Sequence, residues 1–295
     1  MHMNDFGTTG LKVTPLGFGA MHLNDGRVTE AEAEHLLNAV LDLGVNLIDT
    51  ARGYGLSEER IGRHLARRRQ EFLLSTKVGY GIPGMPDWTG PCITAGVEAA
   101  LTRLRCERLD IVHLHSCPLA ILEQGEVIDA LQACARAGTV GVVAYSGDNA
   151  ELDFAVSSGR FGSVQTSISL CDQVNLDQRL PALQALGMGV IAKRPLAGAV
   201  WDHIHRPEAH AEGQYWDRWQ AMGLGGHQAA LPWTETALRF TAHRPGVASS
   251  IVGTRSLAHF RQNLAWVEKG PLPADQVEVL REAFRRHDRG WSGLI

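Results

Sequence analysis

The sequence predicts an α/β fold, a closed (β/α)8 TIM barrel, and three observations carry that prediction. Eight short, mostly apolar runs occur between residues 16 and 254, and a helical pattern follows each of them. The runs are continuous rather than alternating, which is typical of parallel strands that are buried on both faces. The chain has 295 residues, a usual length for a barrel of this kind. We therefore expect a single barrel domain over residues 1–295.

The elements follow one another in a regular order along the chain. The strand candidates are LGFGAM (16–21), NLIDTA (46–51), FLLSTKV (72–78), DIVHLHS (110–116), VGVVAYS (140–146), SVQTSI (163–168), MGVIAK (188–193) and SSIVGT (249–254). The helix candidates cover residues 29–44, 57–69, 94–105, 127–138, 149–159, 177–187, 234–244 and 256–270. Thr29 is placed to cap the start of the first helix and Gly44 to cap its end.

Additional elements flank the predicted barrel. FGTTGLKVTP, before the first strand, is predicted to form an N-terminal hairpin across the barrel bottom, and residues 273–288 form an extra C-terminal helix. Residues 79–92 and 197–232 are too long for plain connections, so we expect them to be pocket loops. An open doubly wound sheet is the alternative fold, but no G-x-G-x-x-G motif follows the first strand.

Composition excludes several classes of function. The 28 basic and 32 acidic residues are spread along the chain, which argues against binding to nucleic acid or to a membrane surface. The five cysteines show no CxxC pairing, so we interpret them as reduced thiols in a cytoplasmic protein. The N-terminus lacks a signal peptide pattern, and no window of 18 apolar residues predicts a membrane span. We expect a small-molecule partner.

Ionisable and polar side chains follow several of the predicted strands. Asp49 ends the second strand and Tyr54 lies on its loop, while Lys77 ends the third strand and His115 the fourth. The carboxyl ends of the strands form one face of such a barrel, and that face carries the chemistry. We therefore expect these four side chains to converge on one functional site.

At these positions the chain resembles the aldo-keto reductase superfamily, over about residues 6–285. IDTARGYGLSEERIG matches the family pattern hDTAxxYGxSExxhG, LLSTKVG its lysine segment, and LDIVHLHS its histidine segment. The resemblance implies a catalytic tetrad of Asp49, Tyr54, Lys77 and His115. It also implies an NAD(P)H-dependent oxidoreductase that reduces aldehydes and ketones to alcohols.

Elementary chemistry agrees with that assignment. A free phenol has a pKa of about 10, and a neighbouring ammonium group stabilises the phenolate, so Lys77 would help Tyr54 to transfer a proton. Asp49 would keep Lys77 charged and oriented. With a nicotinamide bound, hydride would reach the carbonyl carbon while Tyr54 protonates the oxygen and His115 orients it.

The resemblance also implies cofactor-binding residues around the nicotinamide. Ser146 and Gln165 match positions that bind the carboxamide, and it stays open whether Asn149 supplies the asparagine that the family usually has after the serine. Lys193 replaces the aromatic residue that stacks on the ring, so the alkyl stem of Lys193 or the guanidinium of Arg194 would form that surface. The backbone from Leu196 to Gly198 would receive the pyrophosphate.

The segment GTRSLAHFRQN after the last strand resembles the family's adenosine-phosphate site, at the start of a helix where free N–H groups favour anions. Its cofactor residues would be Gly253, Thr254 and Arg255 for the phosphate and Gln262 and Asn263 for the adenine. His259 occupies the position of an arginine that binds the 2′-phosphate in many relatives, and Arg255 can form a fork on that phosphate. We expect NADP(H) to be preferred, with NAD(H) as the alternative.

Three large apolar side chains near the predicted barrel mouth indicate a substrate preference. Met21 ends the first predicted strand, Trp88 lies on the loop after the third strand, and Trp216 lies in the insertion after the seventh. If these three side chains line the pocket, an apolar or aromatic carbonyl compound is the expected substrate. YWDRW, residues 215–219, would equally suit a small helix that packs on the barrel.

Two further interpretations assign the chain to other functional classes, a metallohydrolase and a redox sensor. His113 and His115 point the same way in a strand and could ligate a metal in a barrel metallohydrolase, although no second set of ligands follows later strands, so we expect no metal. A redox sensor that binds NADPH with little turnover is the other alternative. No motif specifies the substrate, the reaction direction or the oligomeric state.

Overall fold

Eight parallel strands close into a barrel in the computed structural model, which describes residues 2–24, 26–226 and 231–294. Each strand pairs with its neighbour in chain order, and the last strand returns to the first. The barrel strands are β3 Leu16–Gly19, β4 Leu47–Asp49, β5 Leu73–Val78, β6 Leu109–His115, β7 Val140–Ser146, β8 Ser163–Ser167, β9 Gly189–Lys193 and β10 Ser249–Val252. The predicted (β/α)8 fold is confirmed.

The N-terminal hairpin closes the bottom of the barrel. Its strands β1 Asn4–Asp5 and β2 Lys12–Val13 pair in antiparallel register. Between them Phe6 is fully buried and joins an apolar cluster with inward residues of the barrel strands, among them Leu47 and Ile191. A Cβ atom on Gly189 would lie 2.8 Å from the Phe6 ring, so a glycine at this position lets the ring seal the floor.

The helices pack around the outside of the strands. They are α1 Glu30–Asp42, α2 Ser57–Leu65, α3 Gly90–Leu104, α4 Leu119–Gln124, α5 Glu126–Arg136, α6 Asn149–Ser157, α7 Val174–Gln178, α8 Leu180–Ala185, α9 His210–Met222, α10 Trp233–Ala242, α11 Leu257–Glu268 and α12 Ala274–His287. Thr29 caps α1 in a capping box with Glu32, as predicted. Leu43 is the C-cap of α1, and Gly44 is the left-handed residue that follows it.

Two predicted helices differ from the observed elements. The candidate at residues 177–187 is divided at Arg179 into α7 and α8, because Pro181 lies in the first turn of a new helix. The candidate at residues 57–69 ends its α-helical part at Leu65 and continues as the 3-10 segment Ala66–Glu71. The short helix α4 was missed, since six residues give too little periodicity to detect.

The two long segments differ in structure. Residues 79–89 are irregular and lead into α3, whereas the segment after β9 contains the 3-10 turn Ala197–Asp202 and α9. His227–Ala230, the end of that predicted loop, lie outside the described residues. Tyr215 and Trp219 on α9 are buried in a second apolar cluster with Phe240 and Phe284. The helical interpretation of YWDRW is therefore right for these two side chains.

After α12 the chain folds back towards the barrel mouth. We call Trp291–Leu294 the C-terminal segment; its Gly293 exchanges two hydrogen bonds with the side-chain amide of Asn149, at 2.8 and 3.0 Å. Leu294 is buried. Among the described helices, none combines the length and the apolar character that a membrane crossing needs.

Candidate active site

A buried ion pair lies beneath the mouth of the barrel. Lys77, at the end of β5, donates to Asp49 Oδ2 at 2.6 Å and to the Thr50 carbonyl at 2.8 Å. The two charged side chains are only 1 % and 2 % exposed. Burial opposes the charge on Lys77, but the Asp49 carboxylate and the Tyr54 phenol favour it, and the pKa of Lys77 lies above its ordinary value. The amine is therefore an ammonium ion at neutral pH.

Other donors hold the second oxygen of the same carboxylate. Asp49 Oδ1 accepts from the Ser75 hydroxyl at 2.8 Å and from the Gln165 amide at 2.9 Å. Gln165 Oε1 in turn accepts from the Ser146 hydroxyl at 3.1 Å. Side chains from three other strands, β5, β7 and β8, thus fix the orientation of Asp49, and through it the position of the ammonium group.

Tyr54 lies above this pair, on the loop that follows β4. The Lys77 ammonium is 5.1 Å from the centre of the Tyr54 ring. The ring meets His115 edge to face, with 6.0 Å between ring centres. Tyr54 is partly exposed towards the cavity, whereas Lys77 is fully enclosed. The cation can therefore act on the phenol without contact with solvent.

Two histidines on β6 are held in the neutral form. Burial and the Lys77 charge lower the pKa of His113 to about 4 and that of His115 to about 3. His113 contacts the Ser75 hydroxyl and the Tyr145 carbonyl. His115 Nδ1 is 2.8 Å from the hydroxyl of Tyr80, so its Nε2 remains for the cavity.

A cavity of about 490 Å³ opens above these residues at the carboxyl ends of the strands. Its wall contains eleven of the residues selected from the sequence: Met21, Asp49, Tyr54, His115, Ser146, Gln165, Lys193, Arg194, Leu196, Gly198 and Gly253. Lys77 lies directly behind this wall. The convergence expected from strand ends is therefore present in the geometry.

Lys193 is part of a second buried ion pair. Its ammonium group lies 2.7 Å from Asp148, a carboxylate with no solvent exposure. Asp148 also accepts hydrogen bonds from Thr166, Ser167 and Asn175. The charged end of Lys193 is thus directed away from the cavity, and its stem contributes to the wall.

The C-terminal segment completes this side of the cavity. The Leu294 carbonyl accepts from Arg194 at 2.9 Å, from Ser167 at 3.0 Å and from Lys193 at 3.4 Å. Asn149 holds Gly293, so its side chain serves the C-terminal segment and not the cavity. Asn149 accordingly does not supply the second amide that the family pattern would place beside Ser146.

An unusual backbone turn follows β9. Ala197, Gly198 and Ala199 have consecutive positive φ angles of 46°, 71° and 52°. Left-handed alanines are strained, and such runs of backbone N–H groups can form concave anion sites. Across the cavity, a Cβ atom on Gly253 would approach the Gly19 carbonyl and the His22 ring to 2.9 Å. Both features keep backbone close to the space above the cavity.

The remaining phosphate and adenine candidates lie further out, around the start of α11. Ser256 caps this helix, and Thr254 accepts a hydrogen bond from its amide at 3.0 Å. Arg255 and His259 are exposed. The pKa of His22 is lowered, mainly by burial and also by the nearby charge of Arg255. Gln262 is exposed and Asn263 is buried. Of the phosphate and adenine candidates that follow β10, Gly253 alone lines the cavity among the described residues.

Two of the three substrate-pocket candidates lie outside the cavity wall. The Trp88 ring covers Gly79, where a Cβ atom would come within 2.1 Å of it, and packs 5.8 Å from Tyr80. Trp216 is partly buried against the second apolar cluster and donates to the His203 carbonyl. Of the three candidates, only Met21 lines the cavity. The prediction of an aromatic substrate relied on the two indole rings, which pack against other parts of the protein, so that argument no longer holds.

Sequence reasoning missed several residues of the site. Asp148 lies two residues beyond the end of β7, and Tyr80 lies two residues beyond the end of β5. Both could have been found by including the first two residues after each strand. The C-terminal segment carries no ionisable side chain between Trp291 and Leu294, and only its fold brings it to the site. His22, Ser116, Glu212 and Tyr215 also line the cavity.

The two histidines of β6 bond to other groups of the protein. His113 and His115 contact protein partners through Ser75, Tyr145 and Tyr80. Within residues 2–24, 26–226 and 231–294, no three His, Cys, Asp or Glu side chains are grouped as metal ligands would be.

Comparison with known proteins gives one consistent result. The family model described as Aldo/keto reductase family matches residues 15–285. L-galactose dehydrogenase of Arabidopsis thaliana is 29 % identical over 299 residues, covering 96 % of this chain and 93 % of that protein. A 6-dehydroglucose reductase of Novosphingobium aromaticivorans is 25 % identical, covering 98 % and 93 %. The holo form of an aldo-keto reductase from Bacillus halodurans superposes with a TM-score of 0.84 at 26 % identity, covering 96 % of each chain.

Proposed function

Because the chain belongs to the aldo/keto reductase family, we propose that it is a nicotinamide-dependent oxidoreductase that interconverts a carbonyl group and an alcohol, with Tyr54 as the proton donor and acceptor. The observation that carries this proposal is the buried Lys77–Asp49 pair, 2.6 Å apart, directly behind a tyrosine that faces the cavity. A cation fixed beside a phenol lowers the cost of the phenolate, the form that a proton-transferring tyrosine must visit.

Each member of the tetrad has a distinct part in the proposed reaction. Tyr54 gives its proton to the carbonyl oxygen during reduction and takes it back during oxidation. Lys77 stabilises the phenolate, and Asp49 holds Lys77 charged and oriented through the 2.6 Å contact. His115, neutral because its pKa is about 3, donates a hydrogen bond to the same oxygen without adding a charge. A nicotinamide cofactor, when bound above Gln165 and Ser146, would provide the hydride chemistry.

The residues around the cavity fit a nicotinamide cofactor. Gln165 and Ser146 already bond to each other, but the Gln165 amide keeps a second donor and its carbonyl a second lone pair for a carboxamide. The left-handed turn Ala197–Ala199 and the close approach at Gly253 have only small residues, so their backbone can approach a pyrophosphate. The stem of Lys193 forms the wall beside them.

We propose NADP(H) as the preferred cofactor and NAD(H) as the weaker one. Arg255 is exposed beside the start of α11 and can pair with a 2′-phosphate, and His259 lies one turn further along the same helix. Removal of the guanidinium by Arg255→Gln should therefore weaken NADPH binding and leave NADH binding nearly unchanged. Equal losses for both cofactors would contradict this preference.

We further propose a polar, polyhydroxylated substrate of the sugar type. The cavity wall includes Ser116, Glu212 and Arg194, each able to hydrogen-bond a hydroxyl group. The relatives named above act on sugars according to their names. The two indoles that favoured an aromatic substrate lie elsewhere.

The test has two steps. Fluorescence titrations with NADPH and NADH measure cofactor affinity, and reduced-nicotinamide absorbance then follows turnover in both directions with hexoses, pentoses, benzaldehyde and an aliphatic aldehyde. Tight cofactor binding with turnover of sugars supports the proposal. Turnover of aromatic aldehydes alone would overturn the substrate class, and cofactor binding without any turnover would favour a redox sensor instead.

A further inference from the structure

Tyr80 touches His115 but has no place in the tetrad. It lies on the irregular loop after β5, and its hydroxyl is 2.8 Å from His115 Nδ1. The two rings are nearly parallel, with 5.6 Å between centres and 26° between planes. Tyr80 thus contacts the face of the imidazole and also one of its nitrogens.

The loop holds Tyr80 in this position. Trp88, at a left-handed φ of 60°, packs against the Tyr80 ring, and its backbone amide donates to the Gly79 carbonyl at 2.8 Å. Asp87 accepts from the Gly81 amide at 2.8 Å. Contacts on both sides of Tyr80 therefore restrict the loop that carries it.

The direction of the hydrogen bond follows from the chemistry of the two groups. A neutral imidazole carries one proton, on either Nδ1 or Nε2. Burial and the Tyr54 phenol raise the pKa of Tyr80, so its hydroxyl keeps its proton. Among the described residues, His115 Nδ1 is the acceptor in reach of that proton. Donation from Tyr80 to Nδ1 satisfies both groups and leaves the imidazole proton on Nε2.

From this geometry we propose that Tyr80 is a positioning residue that fixes the tautomer and the ring orientation of His115, so that an Nε2–H donor faces the cavity. The effect of this tautomer on catalysis rests on the proposed function. An Nε2–H group can donate to a carbonyl oxygen, whereas the other tautomer presents a lone pair that repels the oxygen. The tautomer itself is a property of the protein alone.

The decisive experiment is NMR spectroscopy of the full chain with 15N-labelled histidine, without cofactor. Long-range proton–nitrogen correlation separates protonated from unprotonated ring nitrogens, and a His115→Gln variant assigns the His115 signals. We expect Nε2 protonated and Nδ1 unprotonated but hydrogen-bonded, with no change between about pH 5 and 8. A protonated Nδ1 in the wild-type chain would overturn the proposal without any variant.

Tyr80→Phe removes only the hydroxyl, and Tyr145→Phe is the matched control, because the Tyr145 hydroxyl bonds to the Cys117 carbonyl away from the cavity. In Tyr80→Phe we expect the His115 nitrogen signals to shift and those of His113 to stay. With any substrate that is turned over, kcat should fall about three- to tenfold while cofactor affinity is unchanged. Unchanged His115 signals in Tyr80→Phe would refute the role, whatever the enzyme turns over.

Discussion

The Lys77–Asp49 pair gives a sharp prediction for the variant Asp49→Asn. The substitution keeps the shape of the side chain but leaves Lys77, 1 % exposed, without its anion. A buried, unpaired ammonium group either stays charged at high cost or loses its proton. The cheaper of these two routes sets the loss of stability.

The cost of the second route can be calculated. Deprotonating a lysine of pKa about 10.4 at pH 7 requires roughly 4.6 kcal/mol, since each pH unit corresponds to about 1.36 kcal/mol. At pH 9 the same step requires only about 1.9 kcal/mol. For a chain of this length the entropy of unfolding is about 0.6 kcal/mol per degree, so Tm should fall by up to about 7 °C at pH 7 and about 3 °C at pH 9.

The difference in stability between the wild-type protein and Asp49→Asn should depend on pH. In the wild-type protein the pKa of Lys77 is raised, so its stabilising contribution is complete below the unfolded pKa and constant from pH 7 to 9. In Asp49→Asn the pKa of Lys77 is lowered instead, and the variant recovers stability as pH rises. The difference between the two proteins should therefore shrink towards alkaline pH.

Urea denaturation followed by circular dichroism, at pH 7, 8 and 9, measures this difference. Asp129→Asn is a suitable control, because Asp129 pairs with Arg160 at the surface, is 71 % exposed, and should cost less than about 1 kcal/mol at every pH. An Asp49→Asn penalty that does not change with pH would refute the account of a charged, buried Lys77.

Three more predictions concern Tyr54, the two histidines of β6, and Asp172, a buried carboxyl group that accepts from the Leu294 amide of the C-terminal segment. Tyr54→Phe should lower kcat by about 10²- to 10⁴-fold while cofactor affinity, measured by fluorescence titration, is unchanged; an unchanged rate would remove Tyr54 from the proton transfer. His113 and His115 have lowered pKa values of about 4 and 3, so the pH profile of kcat/KM should show no histidine titration between about pH 5 and 8. For the same reason, acidification from pH 6.5 to 5 should reduce the contribution of each histidine to the free energy of unfolding by up to about 2 kcal/mol. Burial and the Asp148 charge raise the pKa of Asp172 to about 7, so the contribution of Asp172 to stability falls as pH rises from about 4 to 7. Asp172→Asn should therefore be stabilised relative to wild type at pH 8 but not at pH 4, and equal effects in urea denaturation at both pH values would contradict this.

The strand ends show how far sequence reasoning reached into the site. Asp49, Lys77 and His115 each end a barrel strand, and parallel strands bring their carboxyl ends to one face, so their convergence needed only the fold. The roles of these residues stay predictions until the variants are measured. Their geometry, a 2.6 Å ion pair behind a cavity-facing phenol, is what the proposed chemistry requires.

The aromatic loop residues show where that reasoning ended. A tryptophan on a loop near the barrel mouth can face the cavity or support the loop from behind, and sequence position does not distinguish the two. Trp88 packs over Gly79, which leaves space for its ring, and Trp216 packs at the edge of the apolar cluster that buries Tyr215 and Trp219. These are packing decisions made between elements that are distant in the chain.

The sequence by itself determined the barrel and the positions of the tetrad, because periodicity, strand ends and the long motif at residues 48–62 are local properties of the chain. Only the tertiary structure decided which groups surround them. Tyr80 reaches His115 across 35 residues, and the Leu294 carbonyl meets Lys193 across 101 residues. Contacts at such separations depend on how loops and the C-terminal segment pack on the finished barrel, and no local pattern in the chain encodes that packing.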